Sequence, residues 1–449
     1  MNKFIGDTSI TFITRILQLI IGIGTSVIIA RALGPYGKGI YSLAILLPGI
    51  LITFLNFGIN TASIYYIGKK KYPLKEILGV DIISSILISV FSILIGLIII
   101  FYFGDKLFPS IARGYLMLSL SLPPFQFLSM FILDILLGLQ KIKKYNFIQL
   151  IQSLIFLSFV FVFFASSNLV IKTAIISEFL AVFIICIYLF FVIKKEVGGI
   201  TLSLNKNLIK DIFSYGIKVY LATIFSFLHY RIGHLLLNIF LNPFAVGLYS
   251  VAVGISEKIW LISQSAGTIL FPRVSSETDK ENLNKFTPIV CRNVLFITTL
   301  LTIFLFIIGR PLIIFLYSKQ FFGSLAPFQI LLIGAITISG WRILANDLYG
   351  RGKPLLNTYI TGGAVTSNII LNTILIPKLG INGAAWASSI SYSIALIVIA
   401  IIYCKISRNN IIDTIFIKKS DFKYYKNLIL YSFAFFMKRK NNLIFRNKL

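Results

Sequence analysis

Five basic residues stand inside otherwise apolar stretches of this sequence: Arg15, Lys218, Arg231, Lys258 and Arg342. A charge in hydrocarbon costs several kcal/mol unless it faces water or a partner, so each needs an account. Arg15 falls near the start of the first stretch, ~7–8 Å deep at ~1.5 Å per helical residue. Its planar fork suits bidentate phosphate binding; the alternative is a side chain that snorkels to the interface, which is the reading preferred for Lys218. Arg231 and His234 are three apart and share a helix face, with His229 close by. A metal would want more ligands than these two histidines, so the cluster suits a phosphate or sugar, or a contact with a neighbouring helix. Glu257, Trp260 and Gln264 repeat at i, i+3 and i+7, and Ser263 and Gly267 extend that face. An aromatic ring there stacks on a pyranose while amides read hydroxyls; a buried interhelical network is the plainer alternative. Lys258 points ~100° away from Glu257 and does not simply pair with it. Asn56 and Asn60 fall at helical spacing with Thr53 and Ser63. Asp134 and Gln126 follow Pro123-Pro124, Arg342 and Asn346 are four apart, and Thr361, Asn368 and Asn372 mark a further stretch. Polar faces on several helices suggest a wet interior, although interhelical hydrogen bonding accounts for any single one.

The elements that must position these residues are membrane spans. Of 449 residues 57% are hydrophobic and only 13% charged, against about 25% in soluble domains. Mean hydropathy is +0.91. Apolar runs long enough to cross ~30 Å of hydrocarbon recur along the chain, and we place spans at 10–30, 40–64, 80–103, 114–137, 145–166, 170–193, 212–238, 246–270, 289–309, 324–345, 358–377 and 383–404. Pro123-Pro124 should kink the fourth. The first run is too long for a signal-peptide core and reads as a retained span. Residues 428–437 are too few to cross and are expected to lie at the interface. Cys186, Cys291 and Cys404 lie far apart and suggest small apolar fillers rather than a disulfide or metal framework.

The net charge of +27 is distributed unevenly. With a cytoplasmic N-terminus, 29 Lys and Arg fall in cytoplasmic segments and 8 in outward loops. That asymmetry predicts both termini inside and explains the charge by anionic lipid, without nucleic acid.

Residues 33–44, LGPYGKGIYSLA, are echoed by 241–252, LNPFAVGLYSVA. Pro, Gly, Tyr and Ser align, and each copy joins the first and second spans of a six-span half. Six spans separate the copies, so the repeat is parallel, with a pseudo-two-fold axis along the membrane normal. The expected fold is all-α integral membrane, with about twelve transmembrane helices in two pseudo-symmetric six-helix bundles: an N-terminal lobe over 1–200, a C-terminal lobe over 201–405 and a basic interfacial tail over 406–449. Gly34, Pro35, Gly39, Pro243 and Gly247 read as hinge or turn positions.

Residues 13–44, ITRILQLIIGIGTSVIIARALGPYGKGIYSLA, resemble the opening of the polysaccharide-transport (Wzx-type) flippases of the multidrug/oligosaccharidyl-lipid/polysaccharide exporter superfamily. GLYSVAVGISEKIWLISQSAGTILFPRVS (247–275), YGRGKPLLNTYI (349–360) and LGINGAAWASSIS (379–391) are similar to further parts of that family. The resemblance implies two V-shaped lobes in the cytoplasmic membrane of a bacterium. It also implies movement of undecaprenyl-diphosphate-linked oligosaccharide to the outer leaflet for surface polysaccharide of the O-antigen or capsule type, alongside polymerase or ligase machinery. On this reading Arg15, Arg231, His234, Glu257, Lys258, Trp260, Gln264, Arg342, Asn56 and Asn60 form the substrate site, with no metal and no cofactor. Relatives include lipid II flippases and multidrug extrusion antiporters. The former commonly carry two extra spans and several first-span arginines, and many of the latter an acid in the first span. Here only Arg15 lies inside that span, and Asp7 precedes it.

An enzyme is not expected. The longest internal loops, 194–211 and 271–288, are too short for a nucleotide-sugar domain, and no GxxxxGK[ST], DxD, HExxH or GxSxG pattern occurs. With the interior negative, ~2.3 kcal/mol per charge per 100 mV favours outward movement of a diphosphate. A coupling proton or sodium ion, through Glu257, Asp134 or Glu178, is the other driving force compatible with the sequence.

Overall fold

A computed structural model describes residues 2–198, 205–276 and 279–422; the stretch 428–437 lies outside them. Every regular element among the described residues is helical. In order these are α1 (Asn2–Leu55), α2 (Ile59–Lys69), α3 (Leu74–Ile98), α4 (Gly104–Leu107), α5 (Arg113–Ser119), α6 (Leu122–Gly138), α7 (Ile142–Ala165), α8 (Ile171–Val197), α9 (Lys206–Phe240), α10 (Pro243–Ser256), α11 (Trp260–Ser276), α12 (Lys280–Tyr317), α13 (Leu325–Gly350), α14 (Pro354–Leu379), α15 (Ile381–Ser407) and α16 (Ile411–Ile415).

Ten helical runs are long and apolar enough to cross a membrane among the described residues, and α9, bent by 43°, makes an eleventh. The first run, Ile10–Leu55, has 46 residues. At ~1.5 Å per residue that is ~69 Å, more than twice the hydrocarbon thickness. It is broken at Gly34, whose φ of 64° and ψ of 179° lie where only glycine rests without strain. The expected turn is therefore real, but it is one residue wide. Pro35 resumes the helix, and Gly39 and Gly247 lie within helices rather than at turns. Pro243 opens α10 at a position that needs no N–H, and Asn242 caps that helix by accepting from the Ala245 amide at 3.0 Å. Pro123 and Pro124 break the fourth expected span into α5 and α6. The expected ninth span extends at both ends into α12, so Arg310, just past its expected end, is helical. Charged side chains do not stop a helix that runs on past the hydrocarbon.

Close packing follows the small residues. On α15 a buried run of Ala384, Ala385, Ala387, Ser388, Ser389 and Ser391 lies against α13 and α14. A Cβ on Gly334 of α13 would come within 3.0 Å of the Ser389 Cα, so this glycine sets the helix spacing. Outward faces are apolar: Ile86, Leu87, Val90, Phe91 and Leu94 of α3 are all exposed, as a lipid-facing helix requires.

The two copies of the repeat touch each other. A Cβ on Gly39 would run into the carbonyl oxygen of Pro243, and one on Gly247 into that of Pro35. The contact is reciprocal, as two-fold packing demands. At the same end Arg31 donates to the backbone carbonyls of Phe315 and Leu316. A second seam joins α2 to the start of α9. There Tyr65 stacks on Tyr215 with centroids 4.3 Å apart, and Asp211 accepts from Lys71 at 2.5 Å and Tyr72 at 2.6 Å.

Candidate functional site

A cavity of about 560 Å³ opens between the first half of the chain and the second. Arg15 of α1 is its contribution from the first half. The second half supplies Ser226 and Tyr230 of α9, Ser263, Gln264, Gly267, Thr268 and Phe271 of α11, and Trp341, Arg342, Asn346 and Tyr349 of α13. Three of the expected site residues thus meet: Arg15, Gln264 and Arg342.

Arg342 holds the cavity wall together without an anion. Its Nη2 donates to the Tyr230 hydroxyl at 3.1 Å, and its guanidinium lies 4.5 Å from the centroid of Trp260 and 5.6 Å from that of Tyr230. Arg15 makes no ion pair among the described residues. Two guanidinium groups without counter-ions therefore face one polar cleft, which focuses positive potential there.

Behind this wall is a much smaller void of about 10 Å³, lined by Tyr230, Tyr249, Val253, Ser256, Glu257, Trp260, Leu331, Ala335 and Tyr392. Tyr230 and Trp260 separate it from the large cavity, their ring centroids 5.0 Å apart. Glu257 holds Arg231 here in a fork, Nη1 to Oε1 at 3.0 Å and Nη2 to Oε2 at 3.3 Å. The helix loosens at the same place: Glu257–Ile259 form a 3₁₀ turn between α10 and α11. Glu257 and Trp260, three apart across that turn, both line the void. Trp260 shields the void, and Gln264 lines the cavity.

The remaining expected residues are placed elsewhere. His234 is buried against Tyr249, ring centroids 5.1 Å apart, and His229 bonds Ser391 at 3.0 Å. Lys258 is exposed and lines neither space. Asn56 donates to Asn60 at 3.0 Å, and Asn60 donates to Asp134 at 2.8 Å, a network in the first half of the chain away from the cavity. Beside it Ser63 donates to the buried Asp81 at 2.6 Å. On α14, Asn368 donates to Ser391 at 3.0 Å and Asn372 to Asn368. The interhelical alternative is what these amides display. Tyr230, Trp341 and Tyr349 were not anticipated; each lies one to three residues from a residue that was. Among the described residues no cluster of metal-binding side chains forms.

The profile of the family described as "Polysaccharide biosynthesis protein" matches residues 4–277, more than half of the chain. The chain belongs to that family. The chain is similar to the "Capsular polysaccharide biosynthesis protein CapF" of Staphylococcus aureus, 23% identical over 405 residues that cover 86% of the chain and 96% of the relative. It is also similar to the "Probable low-salt glycan biosynthesis flippase Agl15" of Haloferax volcanii, 26% identical over 207 residues, 43% of each protein. Among solved structures it matches "Lipid II flippase MurJ, inward closed conformation" with a TM-score of 0.75 and 17% identity, over 97% of this chain and 93% of the other. At that identity the match speaks for the fold alone. The chain is thus a multi-pass membrane protein with a MurJ-like helical fold.

Proposed function

We propose that the protein is a flippase that carries an oligosaccharide linked to a lipid diphosphate, of the undecaprenyl type, from the cytoplasmic to the outer leaflet for surface polysaccharide synthesis. The observation that carries the reading is the cleft holding Arg15 and Arg342 without counter-ions, one from each half of the chain. Two forks suit a diphosphate, and Trp341, Gln264 and Asn346 beside them suit sugar rings and hydroxyls. Splitting the first run at Gly34 gives twelve spans in two lobes of six, with both termini cytoplasmic. In that orientation the cavity lies in the cytoplasmic half, and the reciprocal glycine seam closes the outer end. Alternating access then requires the seam to part as the cytoplasmic side closes. The lipid tail stays in the bilayer while the headgroup crosses. Membrane potential favours the step, and a coupling ion is not required by the charge of the substrate.

The test is translocation of a fluorescent undecaprenyl-diphosphate oligosaccharide in proteoliposomes. Wild type converts protected label to exposed label, and Arg342→Ala, which keeps the helix but removes one fork, slows conversion by about tenfold or more, the cost of a lost charge-assisted pair. Equal rates for Arg342→Ala, Arg15→Ala and wild type would remove the cleft from the mechanism. Faster movement of lipid II than of the oligosaccharide carrier would reassign the substrate.

A further inference from the structure

A second cavity, of about 490 Å³, lies where α2 and α6 end and α3 begins, and transport as read above makes no use of it. Its floor is apolar, from Ile67, Leu74, Ile77 and Leu139, and the exposed Lys70 and Gln140 stand at its rim.

The internal repeat explains why the space exists. After α6 the amides of Leu139, Gln140 and Lys141 bond the carbonyls of Ile135, Leu137 and Leu136. After α13 the amides of Arg351, Gly352 and Lys353 bond those of Asp347, Tyr349 and Leu348. The two turns match bond for bond, with Gln140 at φ 57° and Gly352 at φ 71°. In the second half Arg351 makes this turn a clasp. It donates to Asp347 on its own helix and, at 3.0 Å, to Asn284 near the start of α12. In the first half Leu139 stands where Arg351 does, and Ile135 where Asp347 does. Neither side chain can make that clasp, and the matching place beside the start of α3 is the cavity.

The charge on offer there is positive. The Lys70 ammonium makes no hydrogen bond or ion pair among the described residues. The acids at this end are engaged: Asp211 by Lys71 and Tyr72, Glu196 by Lys141 and Lys144, and Glu76 by Asn205. Lys70 is left to meet an anion from outside. The chain's own end is not that anion, since residues 423–449 hold lysines and arginines and no acid. A free phosphate would leave the apolar floor bare, whereas a lipid brings a phosphate and methylenes together. The depth fits as well. The ends of apolar helices mark the headgroup layer, and basic pockets between helices on the lysine-rich side take anionic headgroups.

We propose that this cavity binds the headgroup of an anionic glycerophospholipid with its phosphate on Lys70, and that the bound lipid ties the turn after α6 to α3 as Arg351 ties the turn after α13 to α12. The inference does not depend on what the protein carries.

The probe is phosphatidylglycerol, added to the full chain in detergent and counted by native mass spectrometry, with phosphatidylcholine as the zwitterionic control. Wild type should retain one phosphatidylglycerol about fivefold more tightly than phosphatidylcholine, the worth of one lysine near a membrane surface. Its unfolding temperature should rise with that lipid. Lys70→Gln should lose both the preference and the rise. Gly68→Phe fills the cavity from a lining position where a Cβ meets nothing within 4 Å, and should exclude the lipid. The two variants act by different means, so poor folding of one leaves the other to decide. Wild-type preference and wild-type stabilisation in a folded variant of either kind would overturn the site. Displacement of the lipid by equimolar glycerol phosphate would make the ligand a soluble anion, and displacement by a short acidic peptide would make it a protein partner. Either result overturns the lipid assignment.

Discussion

Arg292 shows what a single pairing does at the edge of this molecule. Its Nε and Nη2 donate to the two carboxylate oxygens of Asp421 at 2.5 and 2.6 Å, and Nη1 donates to the Asp413 carbonyl at 3.0 Å. The segment after α15 is thereby pinned to α12. Burial pushes the Asp421 carboxyl up, but the Arg292 hydrogen bonds, the Lys418 amide and the charges of Arg292 and Lys418 together hold it below the usual carboxylate range. A lowered value means that the pair stabilises fully above the unfolded pKa of ~3.9 and loses that contribution as pH falls through the lower folded value. Docking of residues 411–422 should hold at neutral pH and fail only in acid, read as new cleavage sites in limited proteolysis. Asp421→Asn should release the segment at pH 7, at a cost of about 3–5 kcal/mol for the stranded guanidinium. A segment equally protected in that variant would show that the clamp does not hold it. None of this was legible in the sequence, where Arg292 fell at the start of the expected ninth span and Asp421 in a basic tail. A contact between residues so far apart leaves no periodic trace. The opposite holds for Arg15, Gln264 and Arg342, which could be picked out because polar groups in apolar runs need a reason. Arg231 and Glu257 were both picked out by the same logic, but not as a pair: they lie far apart in sequence, and only packing brings the two together.

At the scale of elements, hydropathy marks each crossing because lipid demands an unbroken run of apolar helix. It does not mark where helices stop, since α12 runs on through Arg310 and Lys285. Breaks inside spans were legible where residue type dictates them. Pro123-Pro124 separates α5 from α6, and Gly34 turns α1. The 3₁₀ turn at Glu257 has no such signature in residue type. Gly34→Ala tests the strongest of these breaks. With φ at 64° and ψ at 179°, a side chain should cost about 1–3 kcal/mol. The measurement is the unfolding temperature in detergent, beside Gly22→Ala, where a Cβ meets nothing within 4 Å. Equal losses at the two positions would mean that the turn is not strained.

The whole molecule turns on the seam between its halves. The repeat could be read from the sequence because identical tasks keep similar residues: Pro35 and Pro243 offer carbonyls, and Gly39 and Gly247 offer bare backbone to them. That the copies meet each other was not legible, since similarity tells of equivalence and not of contact. Gly247→Val should wedge α1 and α10 apart at this end. A Ser42→Cys reporter in the repeat should then react severalfold faster with a water-soluble maleimide in nanodiscs, while Cys186, Cys291 and Cys404 stay buried. An unchanged labelling rate would place the seam outside the gate.

The reciprocity of that seam also bears on how such a chain could arise. Each copy of the motif is both the knob and the socket for the other, so exchanging the order of the two halves along the chain would leave the contact as it is. A half-length ancestor could have made the same joint with a second copy of itself, before any fusion. Drift in one copy is answerable to the other through a glycine and a carbonyl, which gives two distant stretches of one gene a shared reason to stay alike.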